Sequence, residues 1–264
     1  MDLWWQGWLP DKEVRAVLLI AHGIAEHSSR YNEVANYFAA QGLAVYGFDY
    51  RGHGKSPGER CNVEKFSHFV KDFGAFLAMV CGKQPGKKLF IFGHSMGAVV
   101  GLSHVLAAPA KSSGIIISGV PITILPHVPL AVVALLQPLA VVTPRQGIYR
   151  LNAATLSRDP AVVKTYDNDP LIYRGKLPAR ITLGLIWAVR SLDKKLPAIK
   201  QPILILHGRE DHLSAPQGAQ IVFDKIGSQD KTLKYYDGFY HEILNEPGHE
   251  QVLEDMEEWL NRRI

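Results

Sequence analysis

Short apolar runs recur along the chain, separated by segments whose apolar residues are spaced three and four apart. The runs are residues 14–21 (VRAVLLIA), 43–48 (LAVYGF), 89–92 (LFIF), 113–117 (SGIII) and 202–206 (PILIL). A stretch of four to eight residues that is apolar at odd and even positions alike suits a strand covered on both faces, as in a parallel sheet. Between these runs, Val34, Tyr37 and Phe38 mark one helical face, residues 66–81 form a second helical pattern, and residues 250–260 an amphipathic closing helix. Residues 232–236 alternate polar and apolar as a last strand. Strands alternating with helices predict an α/β fold, a mostly parallel central sheet with helices on both faces. Reactive groups are then expected at the carboxyl ends of the strands.

One segment breaks the alternation. Residues 121–198 show no strand–helix unit and carry instead an apolar helical stretch, 128–142, interrupted by Pro138, with further helical pieces around 158–160 and over 179–192. An insertion of this length after a strand end reads as a helical cap over the active-site edge. The expected organisation is a core of residues 1–120 and 199–264 with a cap of residues 121–198. The apolar stretch is too short and too broken by proline to span a membrane. It is apolar on most sides, so part of it is expected at the cap surface as a docking patch for membrane, micelle or partner.

Composition narrows the class. The 264 residues are 47% hydrophobic and 20% charged with a formal net charge of +4, a globular profile with no basic run that would suit nucleic acid. Cys61 and Cys81 lie in no metal-ligand spacing and make no disulfide framework. With no secretory leader visible at the first residues, a cytoplasmic, peripherally membrane-associated enzyme is expected.

The chemistry centres on Gly93-His94-Ser95-Met96-Gly97, directly after an apolar run and directly before a helical pattern. That context is the strand–turn–helix that holds a serine exposed as a nucleophile, with the glycines demanded by the tightness of the turn. A serine hydroxyl needs a base to take its proton and an acid to orient the base, in the chain order serine, acid, histidine. Asp211, just past the 202–206 strand, is preferred over Glu210 as the acid; Asp193 and Asp237 are rivals. His241, in the loop after the last strand, is the candidate base, with His249 as the alternative. The oxyanion of the intermediate needs two N–H donors, expected from the backbones of Met96 and Ile24.

Four segments together resemble the monoacylglycerol lipase branch of the α/β-hydrolases: residues 22–31 (HGIAEHSSRY), 51–56 (RGHGKS), 93–97 (GHSMG) and 240–242 (YHE). The likeness continues through 156–160 (LSRDP), 166–171 (YDNDPL) and 228–234 (SQDKTLK), and so covers nearly the whole chain. The resemblance implies an α/β-hydrolase fold and cofactor-free hydrolysis of monoacylglycerols to fatty acid and glycerol. It places Glu26, Arg30 and Tyr166 in a small polar pocket for the glycerol end and puts the acyl chain in an apolar tunnel under the cap. The chain departs from the pattern in having little left of the first antiparallel strand before Trp8, and a branched Ile24 where a small residue is commoner. A lysophospholipase or general carboxylesterase, and a non-catalytic binding protein of the same fold, are the competing readings.

Overall fold

A computed structural model of the chain describes residues 2–122 and 130–264. In chain order, β1 is Trp5–Trp8, β2 Ala16–Ala21, α1 Asn32–Ala40, β3 Leu43–Phe48, α2 Ser67–Lys83, β4 Leu89–His94, α3 Met96–Ala107 and β5 Gly114–Ser118. There follow α4 Leu130–Val142, β6 Gly147–Tyr149, α5 Pro160–Asn168, β7 Leu177–Pro178 and α6 Ala179–Asp193. The chain closes with β8 Ile203–Gly208, α7 Gln217–Lys225, β9 Lys231–Tyr236 and α8 Glu250–Asn261. Among the described residues one sheet runs β1-β3-β2-β4-β5-β8-β9, parallel except for β1, as the apolar runs predict.

The runs lack a polar face because both faces are covered. In β2, Val17, Leu19 and Ala21 pack into the layer with α2 and α3, while Ala16, Leu18 and Ile20 pack into the layer with α1 and α8. Helix α8 contributes Val252, Leu253, Met256, Trp259 and Leu260, the one-sided spacing that a surface helix needs. Helix α3 is buried on nearly every side, so its sequence shows no amphipathic stripe.

Strand order reverses beside β2: the chain passes from β2 outward to β3, then returns to place β4 on the other side of β2. Loops leaving β2 and β4 therefore diverge, and a crevice opens between them at the carboxyl edge. Ala21 sits opposite Gly93 in register, so the turn after β2 and the turn carrying Ser95 lie side by side.

Three expectations are corrected. The few residues left before Trp8 still form an edge strand, β1, antiparallel to β3 with Trp5 opposite Phe48. Residues 121–198 hold a strand pair after all, β6 with β7, three and two residues long and too short to show a period. Helix α4 runs through Pro138 rather than breaking there. Pro138 and Ala134 are exposed, so the carbonyl that loses its partner faces water. Positions 128 and 129 of that expected helix, and residues 123–126 before it, lie outside the described residues. Val133 and Ala140 of α4 pack on Leu183 and Ile186 of α6.

The 156–160 motif has a physical explanation at the junction with the loop after β9. Ser157 Oγ donates to the Asn245 carbonyl at 3.0 Å, and Arg158 donates from its backbone and Nε to the buried Glu246 carboxylate, each at 2.9 Å. Asp159 caps α5 by accepting the Ala161 N–H, and Pro160 takes the first helical position, where an N–H has no partner to lose. Asp169 pairs with His27 at 2.8 Å and ties the same segment to the turn after β2.

Candidate active site

Ser95 sits between β4 and α3 with φ 51° and ψ −116°, a backbone conformation costly for any residue with a Cβ. Its N–H donates to the Ser118 carbonyl at 2.9 Å, which pins the turn to β5. The two flanking glycines are required for close approach rather than for a special φ. A Cβ on Gly93 would lie 2.6 Å from the Gly97 carbonyl oxygen, and one on Gly97 would lie 1.9 Å from the Ala21 carbonyl oxygen. Gly97→Ala is therefore expected to push α3 off β2 and to cost ~2 kcal/mol or more. At this chain length that lowers the melting temperature by ~5 °C or more, measurable by thermal denaturation.

Met96 is the first residue of α3, and N–H groups in a first helical turn have no partner within the helix. The turn after β2 brings Ile24 to the same cavity as Ser95. That turn is closed by Glu26, whose Oε1 accepts the Gly23 N–H at 2.5 Å and the Tyr31 hydroxyl at 2.8 Å. It is also held by the left-handed Ala25 (φ 67°), whose carbonyl accepts the Tyr173 N–H at 2.9 Å. His22 beneath it is wholly buried, accepts the Tyr50 N–H at its Nε2, and has its pKa lowered to about 4, chiefly by burial.

Asp211 and His241 meet at the ends of β8 and β9. His241 Nδ1 donates to Asp211 Oδ2 at 2.7 Å, and both side chains are almost completely buried. Asp211 Oδ1 accepts the backbone N–H groups of Leu213 and Ser214 at 2.8 and 2.9 Å. A further donor, His207, places Nε2 at 3.0 Å from Asp211 Oδ2 and 2.8 Å from the Ser214 carbonyl. Burial opposes the Asp211 charge, but His241 and the hydrogen bonds from both histidines outweigh it and hold the carboxyl far below its usual range. Burial likewise works to lower the His241 pKa, and the Asp211 carboxylate reverses it, leaving the imidazole above its usual 6.5.

His94 separates this pair from β5. Its Nδ1 lies 2.9 Å from Ser118 Oγ, and its ring packs against His241 with centroids 4.8 Å apart. Burial, with the neighbouring His241, lowers its pKa to about 4, so it packs as a neutral ring. The rival acids lie elsewhere: Asp193 pairs with Lys225 at 2.7 Å and the exposed Asp237 with Arg209 at 2.5 Å. Glu210 is engaged by the Gly238 N–H, and His249 pairs with Glu33 at the surface.

Ser95, His241, Ile24 and His94 all line one cavity of about 350 Å³. Its remaining wall is largely apolar, with Val133, Leu136, Leu177, Leu183, Leu185 and Ile186 from the segment between β5 and β8. Glu26 and Tyr166 line it as well, whereas Arg30 does not. Arg30 lies one layer behind, between Glu26 and Glu242, with its guanidinium 4.9 Å from the centre of the Tyr166 ring. Glu242 and His207 were not among the candidates from sequence. Glu242 follows His241 directly, and His207 stands in a His-Gly pair at a strand end like His22, but neither signal distinguishes a polar packing residue from a site residue.

Residues 12–248 match the model of the Hydrolase_4 family, described as serine aminopeptidase, S33. The chain is 37% identical to the monoacylglycerol lipase of Mycolicibacterium smegmatis over 253 residues, 96% of this chain and 90% of that one. Its structure is similar to that of Paleococcus ferrophilus monoacylglycerol lipase, with a TM-score of 0.90 at 30% identity and full coverage of both chains. It is also similar to a soluble variant of Saccharomyces cerevisiae monoglyceride lipase in complex with a substrate analog, with a TM-score of 0.87 at 26% identity, covering 98% of this chain and 91% of that one.

Proposed function

We infer, from a chain that belongs to the Hydrolase_4 (serine aminopeptidase, S33) family and within it to the monoacylglycerol lipases, that it hydrolyses monoacylglycerols to a fatty acid and glycerol. The observation that carries this reading is the single cavity in which an apolar wall meets Ser95, His241 and a polar corner. Ser95 Oγ attacks the ester carbonyl while His241 Nε2 takes its proton. Asp211 holds the imidazole in the tautomer with Nδ1 protonated and stabilises its positive charge. The N–H groups of Met96 and Ile24 receive the oxyanion. His241 then returns the proton to the glycerol oxygen as the C–O bond breaks, and a water molecule repeats the sequence on the acyl-enzyme. Glu26 and Tyr166 bind the glycerol end, with Arg30 holding Glu26 in place. An apolar wall of this kind suits an acyl chain better than a peptide, which would bring unpaired amides against it.

The decisive experiment is a hydrolysis panel of monoacylglycerols of graded chain length beside di- and triacylglycerols, lysophosphatidylcholine and an aminoacyl arylamide. Monoacylglycerol turnover well above all the others supports the reading; preference for the lysophospholipid or the arylamide overturns it.

Residues 121–198 act as a cap that touches lipid. Leu135, Val141 and Val142 of α4 are 78%, 72% and 77% exposed, and water-facing aliphatic side chains at this density favour a lipid surface. Among the described residues no helix is long and apolar enough to cross a membrane. Leu135→Glu is expected to weaken co-sedimentation with liposomes several-fold while sparing hydrolysis of a water-soluble ester. Leu136 does not serve this test, because it lines the cavity. Equal loss on both measurements would assign Leu135 to the fold instead.

A further inference from the structure

The polar corner of the cavity holds two carboxylates and one guanidinium. Arg30 Nη1 donates to Glu26 Oε2 at 2.8 Å and to Glu242 Oε1 at 2.6 Å, and Nη2 donates to Glu242 Oε2 at 2.6 Å. Every group that touches the two carboxylates is a donor: the Gly23 N–H and Tyr31 hydroxyl on Glu26, the Asn245 amide on Glu242, and Arg30 on both. Both are therefore set up as anions, and one positive charge against two negative ones leaves a net negative charge. Burial works against the Glu242 charge, but Arg30 prevails and lowers its pKa to about 2.

The hydrogen-bond count gives this charge a direction. A carboxylate offers about four acceptor positions, two on each oxygen. Gly23 and Tyr31 fill both on Glu26 Oε1, and Arg30 and Asn245 fill both on Glu242 Oε2. One position remains on Glu26 Oε2 and one on Glu242 Oε1. Glu26 and Glu242 line the cavity while the guanidinium that neutralises one of them stands behind. What the corner presents is two spare acceptors and a net negative charge.

We propose that Glu242 sets head-group selectivity in this cavity: the corner accepts an uncharged, hydroxyl-donating head group and rejects an anionic one. The proposal rests on the monoacylglycerol reading and deepens it. Two hydroxyls of a glycerol monoester are donors that match the two spare acceptors. A phosphate carries charge of the wrong sign into a buried site where screening by salt is weak. At an effective dielectric constant near 20, like charges several ångströms apart disfavour binding by roughly 30-fold. Glu242 is the determinant that can be varied separately: Glu26 is also committed to the turn around Ile24, whereas removing the Glu242 charge leaves that turn intact and one carboxylate balanced by Arg30.

The test compares kcat/KM for a long-chain monoacylglycerol and for the same ester phosphorylated on a free glycerol hydroxyl. Taking the ratio removes any general loss of rate. Wild-type enzyme is expected to favour the neutral ester by roughly 30-fold or more; Glu242→Gln should bring the ratio to within about threefold, and Glu242→Asp should retain it. A ratio unchanged in Glu242→Gln, or narrowed equally in Glu242→Asp, overturns the proposal. A second arm uses only the wild-type protein: an uncleavable alkyl ether of glycerol should compete at least ~10-fold better than its phosphate. Equal competition overturns the charge argument even where the variants do not fold. Wild-type enzyme that cleaves neither ester, while turning over other esters, overturns the substrate reading on which the proposal rests.

Discussion

Ser95→Ala is expected to reduce kcat for monoacylglycerol hydrolysis by ~10⁴- to 10⁶-fold, because the nucleophile, base and acid work as one unit. The fold should survive it. Ser95 is held with its N–H on the Ser118 carbonyl and its φ at 51°, and alanine keeps both the N–H and the Cβ. Removing the hydroxyl therefore leaves the strained backbone as it was, and the melting temperature should stay within a degree or two of wild type. Turnover by stopped assay and stability by thermal melt separate the two effects. Undiminished turnover would move the nucleophile away from position 95.

Asp211→Asn is expected to lower kcat by ~10⁴-fold by the tautomer argument. The carboxylate accepts from His241 and His207 on Oδ2 and from two backbone N–H groups on Oδ1, so an amide –NH2 would meet donors whichever oxygen it replaced. The variant should also change the pH profile in a defined direction. His241 must be neutral to act as base, so activity falls on the acid side as pH drops through its pKa. Burial lowers that pKa, but the Asp211 charge lifts it above the usual value. In Asp211→Asn the charge is gone and burial remains, so the acid limb of kcat/KM should move to lower pH while the plateau falls. Asp193→Asn and Asp237→Asn, whose carboxylates pair with Lys225 and Arg209 at the surface, should behave as wild type. A limb that stays in place in Asp211→Asn and moves in either of the others would reassign the acid.

The framework was legible because a sheet covered on both faces leaves a plain trace. Residues such as Leu18, Leu19 and Ile20 are all fully buried, so the run has no polar position to obscure it. The Gly93–Gly97 turn was readable for a related reason, since only glycine tolerates the 1.9 Å approach of Ala21 at position 97. Elements of two to four residues, β1, β6 and β7, left no period to read. The polar layer behind the cavity was also hidden. Whether Arg30 faces a ligand or two carboxylates depends on Glu242, 212 positions along the chain, and no local pattern reports such a pairing. His207 is another such case: its hydrogen bond to Asp211 follows from how β8 enters its loop, and a strand-ending histidine has many uses.

The placement of β2 between β3 and β4 carries a consequence for biogenesis. As the chain leaves the ribosome, the turn with Ser95 can form once β5 is out, since Ser118 is its last anchor. The acid and base come from loops after β8 and β9, the latter laid against β8 only when Tyr236 pairs with Gly208. A chain folding in the order of its synthesis would hold the serine turn for more than a hundred residues before the base is placed beside it. Hydrolytic competence would then appear late and abruptly, at the closing of the far edge of the sheet. Long-range strand pairing of this kind is the slow part of folding.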